Sequence, residues 1–241
     1  MSATDTEAGF LVTGASRGIG RAVAQRLLDE GRHVIGLARR FDDELLSRNQ
    51  FDAVAIDLAQ LDQLPQRLKQ LQRAHPLPSG IICAAGQGRF GALEQFSATQ
   101  IRNLVDLNLT SQILLAREYL PAMKQRGSGT IIFIGSEAAL SGGARGAVYS
   151  ATKFALRGFV QSLRAECSAS GVRIGIVNPG MVDSSFFDDL NFRPGGQADQ
   201  HLTAEDVAHA IALMLAARPG AVIDEINLSP QKRVIDFGDR E

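Results

Sequence analysis

Short apolar runs alternate along the chain with longer stretches in which apolar residues recur every three or four positions. Residues 9–13 (GFLVT) form the first run and predict a buried strand. Residues 18–30 follow as a helix, with Ile19, Val23, Leu27 and Leu28 on one face. The alternation continues, predicting strands at 33–38, 51–56, 80–84, 130–135, 172–178 and 221–228. Helices are predicted at 61–73, 99–125 (one or two), 149–170 and 203–217. In the 61–73 stretch Leu61, Leu64, Leu68 and Leu71 fall at spacings of three and four. Strands apolar on both faces and separated by helices belong to a parallel sheet covered on both sides, with right-handed crossovers. Residues 1–241 are therefore expected to form a single α/β domain, without repeats or low-complexity linkers.

Only residues 181–202 lack clear periodicity. They hold Phe186, Phe187, Phe192, Pro194 and the pair Gly195-Gly196. A loop of that length in a compact domain is expected to be a lid or binding loop. The alternative is a helical pair that caps the sheet.

Composition excludes several classes. The 241 residues are 45% hydrophobic and 21% charged, an ordinary composition for a soluble chain. A domain of this length buries roughly 70–75% of its unfolded surface, so neither disulfides nor metals are needed for stability. Lys plus Arg is 25 against 26 for Asp plus Glu, a net charge of −1. That balance excludes a nucleic-acid binder held by bulk charge, but not a local basic pocket for one phosphate. Cys83 and Cys167 lie in separate apolar runs. The four histidines, His33, His75, His201 and His209, lack metal-ligand spacing. No disulfide framework or metal site is expected. The opening MSATDTEAGF is polar and acidic, unlike a signal peptide. No apolar run reaches the ~18 residues of a membrane span. The expected location is the cytoplasm, with no membrane or nucleic-acid partner.

Candidate chemistry begins after the first strand. Thr13-Gly14-Ala15-Ser16-Arg17-Gly18-Ile19-Gly20 has the spacing G-x-x-x-G-x-G, not the literal G-x-G-x-x-G of dinucleotide sites. The physics is the same. Glycines allow a sharp turn and a close ligand, and the next helix offers unpaired N–H groups to a pyrophosphate. An acid ending the second strand would bind the ribose 2′-hydroxyl of NAD. Here the strand ends Gly36-Leu37-Ala38-Arg39-Arg40, with no acid before Asp42. Planar guanidinium forks at Arg17, Arg39 and Arg40 suit a 2′-phosphate, so NADP(H) is the predicted cofactor. The alternative leaves Arg39 and Arg40 as solvated surface. Asp57-Leu58, after the third strand, stands where an adenine would lie, or Asp57 caps the following helix. These features predict a Rossmann-type doubly wound, seven-stranded parallel sheet with helices on both faces.

Tyr149 and Lys153 are four residues apart in a helical segment, hence on one face. A nearby ammonium favours phenolate, and a phenol so tuned can exchange a proton with a carbonyl or alcohol. Ser136 ends the fifth strand, where ligands of open α/β sheets gather, and its hydroxyl could polarise the same oxygen.

With these motifs in this order, the sequence resembles the short-chain dehydrogenase/reductase family. The resemblance runs from residue 9 to about residue 228. It rests on Thr13-Gly14-x-x-x-Gly18-x-Gly20, Asp57, Asn108 in Asp106-Leu107-Asn108-Leu109, Ser136, Tyr149-x-x-x-Lys153 and Asn178-Pro179-Gly180. It implies Tyr149 as general acid or base, with Lys153 on the nicotinamide ribose lowering the Tyr149 pKa. Ser136 would hold the substrate oxygen. Asn108 would sit at a helix break and anchor a water in a proton relay to Lys153. Cofactor contacts are implied at Gly14, Ser16, Arg17, Gly18, Ile19, Gly20, Arg39, Arg40, Asp57, Leu58, Ala85, Gly86, Tyr149 and Lys153. Pro179, Gly180 and Val182 would shape the nicotinamide pocket, and Ser184, standing where the family usually has Thr, would bind the carboxamide. Cys83-Ala84-Ala85-Gly86 replaces the family's Asn-Asn-Ala-Gly and removes two amides that tie the fourth strand to its neighbours.

The activity expected is that of an NADP-dependent carbonyl reductase or alcohol dehydrogenase acting on a small molecule. Ser136, Tyr149, Met181, Phe186 and Phe187 are the expected substrate contacts, with Glu137 and Leu140 beside them. One alternative is a 3-oxoacyl thioester reductase, which a basic rim of Arg89, Arg145 and Arg193 would favour. However, the ending Glu225-Ile226-Asn227-Leu228-Ser229-Pro230-Gln231-Lys232 differs from the glycine-rich ending of 3-oxoacyl-(acyl carrier protein) reductases. A second alternative, a non-catalytic NADP-sensing regulator, needs none of Asn108, Ser136, Tyr149 and Lys153. The resemblance also implies a homodimer or homotetramer built on helices near 110–126 and 149–170. There Ala151, Ala155, Gly158 and Ala165 would permit close approach.

Overall fold

The computed structural model describes residues 9–237, so the polar residues 1–8 read above as unlike a signal peptide lie outside it. Nine strands are named: β1 (Phe10–Thr13), β2 (Val34–Ala38), β3 (Phe51–Ala55), β4 (Gly80–Cys83), β5 (Gly129–Ile134), β6 (Val172–Pro179), β7 (Phe192–Pro194), β8 (Glu225–Leu228) and β9 (Ile235–Phe237). The helices are α1 (Gly18–Asp29), α2 (Asp43–Leu46), α3 (Leu64–Ala74), α4 (Ala98–Val105), α5 (Ser111–Arg126), α6 (Ala147–Glu166) and α7 (Ala204–Leu215).

Seven strands form one sheet in the order β3-β2-β1-β4-β5-β6-β8, each neighbouring pair parallel. The chain builds outward from β1 to β3, then returns to the other side of β1 with β4. Strand order therefore reverses between β1 and β4, and ligands of such sheets bind outside the strand carboxyl ends at that point. The predicted seven-stranded doubly wound sheet is the observed one.

Adjacent residues of each inner strand serve opposite cores. Leu11, Ile35, Ile81, Ile131 and Ile174 pack beneath α3, α5 and α6. Val12, Val34, Ile82, Ile132 and Val177 pack beneath α1 and α7. Both faces need apolar side chains, which is why these strands read as continuous hydrophobic runs.

Several boundaries differ from the sequence reading. Helix α3 starts at Leu64, not 61, with Pro65 in its first turn, where a missing N–H breaks no bond. The predicted 99–125 helix divides into α4, a π-turn at Asp106–Thr110 and α5. Ser97 caps α4, its Oγ accepting from Gln100 N at 3.2 Å while the Gln100 side chain accepts from Ser97 N at 3.0 Å. Helix α6 starts two residues earlier than expected and ends at Glu166, before Gly171 turns the chain with φ +75°. The last strand of the large sheet pairs only over Glu225–Leu228; residues 221–224 make no ladder.

The 181–202 segment is not the alternative helical pair. Val182 bridges Leu202, a single 3₁₀ turn covers Ser185–Phe187, and β7 pairs antiparallel with β9. The C-terminal segment thus pins this loop in a small second sheet. Lys232 N adds a bond to Asp199 O at 2.8 Å, and their side chains form an ion pair at 2.7 Å.

Candidate active site

The carboxyl ends of β1, β4, β5 and β6 open into one cleft of about 1620 Å³. That exceeds the roughly 300–1,000 Å³ of a drug-sized ligand site.

One half of the cleft is built by the glycine turn. Gly14 and Gly18 take φ of +67° and +54°, a left-handed backbone that favours glycine. Gly20 is needed for packing instead: a Cβ there would lie 2.3 Å from the Gly14 carbonyl oxygen. Helix α1 then starts with no side-chain cap from Arg17 and no acid in its first turn. Gly18, Ile19 and Gly20 line the cleft, so the uncapped helix start opens into it. Unpaired N–H groups at a positive helix end fit the pyrophosphate of a dinucleotide.

Gly14, Ser16, Arg17, Arg39, Asp57 and Leu58 also line this half. Arg40 is exposed and does not line it, so Arg17 and Arg39 are the expected cations brought together here. Asp42, the first acid after β2, pairs with Arg21 of α1, as does Glu44. Asp57 Oδ1 accepts from Ala59 N at 3.0 Å, capping a turn.

The loop after β4 is well tied although two amides are missing. Ala85 N donates to Thr13 Oγ1 at 2.9 Å, and Gln112 Nε2 donates to Ala85 O at 2.8 Å. Asn108, in the π-turn, accepts from Gln87 N and donates to Gln87 O, both at 2.9 Å, and donates to Thr152 Oγ1 at 3.3 Å. Asn108 is fully buried and does not line the cleft. Its side chain holds the loop through Gln87 and ties it to Thr152 of α6. Ala85 and Gly86 line the cleft beside it. Cys83 is buried and free, and burial pushes its thiol pKa up, as suits a small apolar residue.

Tyr149 and Lys153 are 7% and 5% exposed on the inner face of α6. Lys153 Nζ donates to Ile134 O at 2.9 Å and lies 5.8 Å from the Tyr149 ring centroid. Burial pushes the Tyr149 phenol up to about 12, with Glu137 adding to the rise and a hydrogen bond from Ser136 opposing it. Burial likewise pulls Lys153 down to about 8. The phenol thus shifts up rather than down, because burial is the largest influence on both groups and the ammonium donates to a backbone carbonyl. Ser136 Oγ also accepts from Ala138 N at 3.1 Å, which fixes the hydroxyl beside the phenol.

At the far end, Pro179, Gly180, Met181, Val182 and Ser184 line the cleft after β6. Ser184 Oγ accepts from Phe186 N and donates to Val182 O, both at 3.4 Å. Glu137, Leu140, Phe186 and Phe187 line it as expected. Of the three arginines read as a basic rim, Arg145 lines the cleft, whereas Arg89 and Arg193 do not. Arg145 has φ +62° in a glycine-rich loop.

Residues 9–193 match the short chain dehydrogenase family. The chain belongs to that family. A Staphylococcus aureus (strain MRSA252) relative, described as an uncharacterized oxidoreductase, is 28% identical over 91% of this chain and 96% of its own. A 3-oxoacyl-(acyl-carrier-protein) reductase of Buchnera aphidicola is 30% identical over 75% of each chain. The solved structure of a metagenomic short-chain oxidoreductase in complex with NADP is 28% identical, with a TM-score of 0.80 over 96% of this chain and 100% of that one.

The site of this short-chain dehydrogenase has parts that sequence reading missed. Phe90, Arg233 and Phe237 also line the cleft, beside Phe192 of the segment read as a binding loop. Phe90 carried a weak signal, since it stands between Gly88 and Gly91. Arg233 and Phe237 carried none, because only the pairing of β9 with β7 brings the C-terminal segment over the cleft.

Proposed function

We propose that this short-chain dehydrogenase is an NADP(H)-dependent oxidoreductase that interconverts a carbonyl and a secondary alcohol, with Tyr149 as the general acid or base. One observation carries the reading: Ser136, Tyr149 and Lys153 open onto the same cleft as the uncapped start of α1. Within one dinucleotide-binding domain, the Gly14–Gly20 turn would hold the pyrophosphate. Arg17 and Arg39 would hold the 2′-phosphate and Lys153 the nicotinamide ribose. Pro179, Gly180, Val182 and Ser184 would border the nicotinamide. NADP(H) supplies or accepts the hydride when bound.

The protein residues handle the proton. With its pKa near 12, the Tyr149 phenol is protonated at neutral pH and can donate to a carbonyl oxygen. Ser136 Oγ orients that oxygen from the side of β5. Lys153, with its pKa near 8, keeps most of its charge at pH 7 and favours the negative charge that develops on Tyr149. Two features support NADP over NAD. Asp42 is engaged by Arg21 and does not line the cleft, while Arg17 and Arg39 do. The metagenomic relative was also solved with NADP. This reading includes a homo-oligomer in which the outer face of α6 meets a second copy.

The test is a fluorescence titration with NADPH and NADH, followed by an assay of carbonyl reduction. NADPH should bind more tightly than NADH. Tyr149→Phe should keep that binding and lose about 10²–10⁴-fold in turnover. Equal binding of the two cofactors would overturn the NADP assignment. Unchanged function in Tyr149→Phe would favour the sensing regulator over the enzyme.

A further inference from the structure

We infer that the substrate is a ketone whose carbonyl carbon carries an aromatic or similarly flat apolar group, selected by Phe90, Phe186, Phe187 and Phe192. The inference rests on the oxidoreductase reading above and names the substrate class of that same site.

Tyr149 is one corner of a closed circuit of ring contacts. Its centroid lies 5.1 Å from Phe90 and 6.0 Å from Phe186. Phe186 lies 5.1 Å from Phe187, Phe187 5.7 Å from Phe192, and Phe192 5.0 Å from Phe90, which closes the circuit. All four phenylalanines are half-buried and line the cleft, and none belongs to either core of the large sheet. They arrive from three separate segments: the loop after β4, the turn after β6, and β7. Phe192 is held in place by the pairing of β7 with β9, and Phe237 of β9 lies 6.4 Å beyond it.

Gly88 makes the convergence possible. A Cβ there would lie 2.4 Å from Phe186 Cζ and 2.9 Å from Phe90 Cε2. With no side chain at position 88, the two rings that flank Tyr149 approach from either side.

The geometry limits what can react. A carbonyl oxygen brought to the Tyr149 and Ser136 hydroxyls sets its substituents against the neighbours of the tyrosine ring, Phe90 and Phe186. A flat apolar group there gains offset or edge-on contacts with those rings. A charged or strongly hydrated group loses water and finds no partner among them. The nearby carboxylate, Glu137, borders Gly180 and would repel a carboxylate attached to the reacting carbon. Aryl ketones therefore fit this wall better than 2-oxo acids or short 3-oxoacyl thioesters.

The test compares kcat/KM with NADPH for acetophenone, 2-butanone, pyruvate and acetoacetyl-coenzyme A. Acetophenone should exceed 2-butanone by about tenfold or more, as two added ring contacts imply. Pyruvate and the thioester should fall below acetophenone. Phe186→Leu keeps apolar bulk but removes a ring, and it should cut the acetophenone to 2-butanone ratio about threefold to tenfold. Gly88→Ala, which displaces rings without removing one, should shift the ratio in the same direction. Equal or faster reduction of the thioester or the oxo acid overturns the inference and leaves the oxidoreductase reading standing. So does a parallel loss for both ketones in Phe186→Leu, because the wall would then be packing only. If NADPH binds and none of the four compounds is reduced, the oxidoreductase reading fails, and the inference with it.

Discussion

Lys153 places a charge in a largely buried position, and the protein is less stable for it. Its pKa falls from 10.5 toward about 8, a difference equivalent to about 3 kcal/mol of burial penalty at neutral pH. The sign follows from proton counting. Below about pH 8 both folded and unfolded chains hold the proton, so the penalty is fully present. Between about 8 and 10.5 the unfolded chain holds more proton than the folded one, so stability rises with pH across that window. Tyr149 acts oppositely at higher pH. Its pKa rises from 10.0 to about 12, so its contribution to stability is lost as pH climbs through that range. Lys153→Met removes the charge but leaves Ile134 O without its donor, which costs about 1 kcal/mol. The net gain at pH 7 should be about 1–2 kcal/mol, or roughly 2–8 °C in Tm. The gain should shrink by pH 9.5, and activity should be lost. Thermal unfolding at both pH values checks this. An equal gain at each pH would show that desolvation of Lys153 is not the cause.

Among the elements, the β1–α1 turn leaves its last glycine no room for a side chain. Gly20→Ala drives a Cβ against the Gly14 carbonyl, so α1 must move off β1. Overpacking of that kind costs about 1–3 kcal/mol. It should also weaken NADPH binding, because the same turn presents the helix start to the cleft. Urea unfolding and an NADPH titration test the two effects, and a variant that unfolds like wild type would refute the packing role. The turn was legible in sequence because its glycines announce backbone that other residues cannot adopt. The seven parallel strands were legible because both faces are buried, leaving continuous apolar runs such as Ile131-Ile132-Phe133. Other features left no local signature. Asn108 reads as a catalytic residue from its motif, but its hydrogen bonds are made to Gln87 and Thr152, a matter of tertiary contact. Three-residue strands such as β7 and β9 have too short a period to register, and they exist only because they meet each other. Desolvation of Tyr149 and Lys153 is likewise a property of the assembled cleft, which residue spacing does not record.

At the scale of the whole molecule, the large sheet uses the inner faces of its helices and leaves one outer face unusual in composition. Ala151, Phe154, Ala155, Gly158 and Ala165 of α6 are exposed, with Phe154 at 44%. A Cβ on Gly158 would meet nothing within 4 Å, so nothing inside the chain requires glycine there. Glycine in a helix interior costs about 1 kcal/mol relative to alanine. Small residues flanking an exposed phenylalanine suit close contact with the same helix of a second copy, a self-complementary arrangement. Gly158→Arg should therefore convert the assembly to monomers while raising helix propensity, so that the fold survives the change. Sedimentation velocity on both proteins, with circular dichroism as the control for folding, makes the comparison. A wild-type protein that sediments as a monomer would refute the proposed interface, and so would a folded Gly158→Arg variant that sediments like an oligomeric wild type. Tyr149 and Lys153 lie on the inner face of this same helix. Contact with a second copy would therefore brace from outside the helix that carries the residues proposed to transfer the proton.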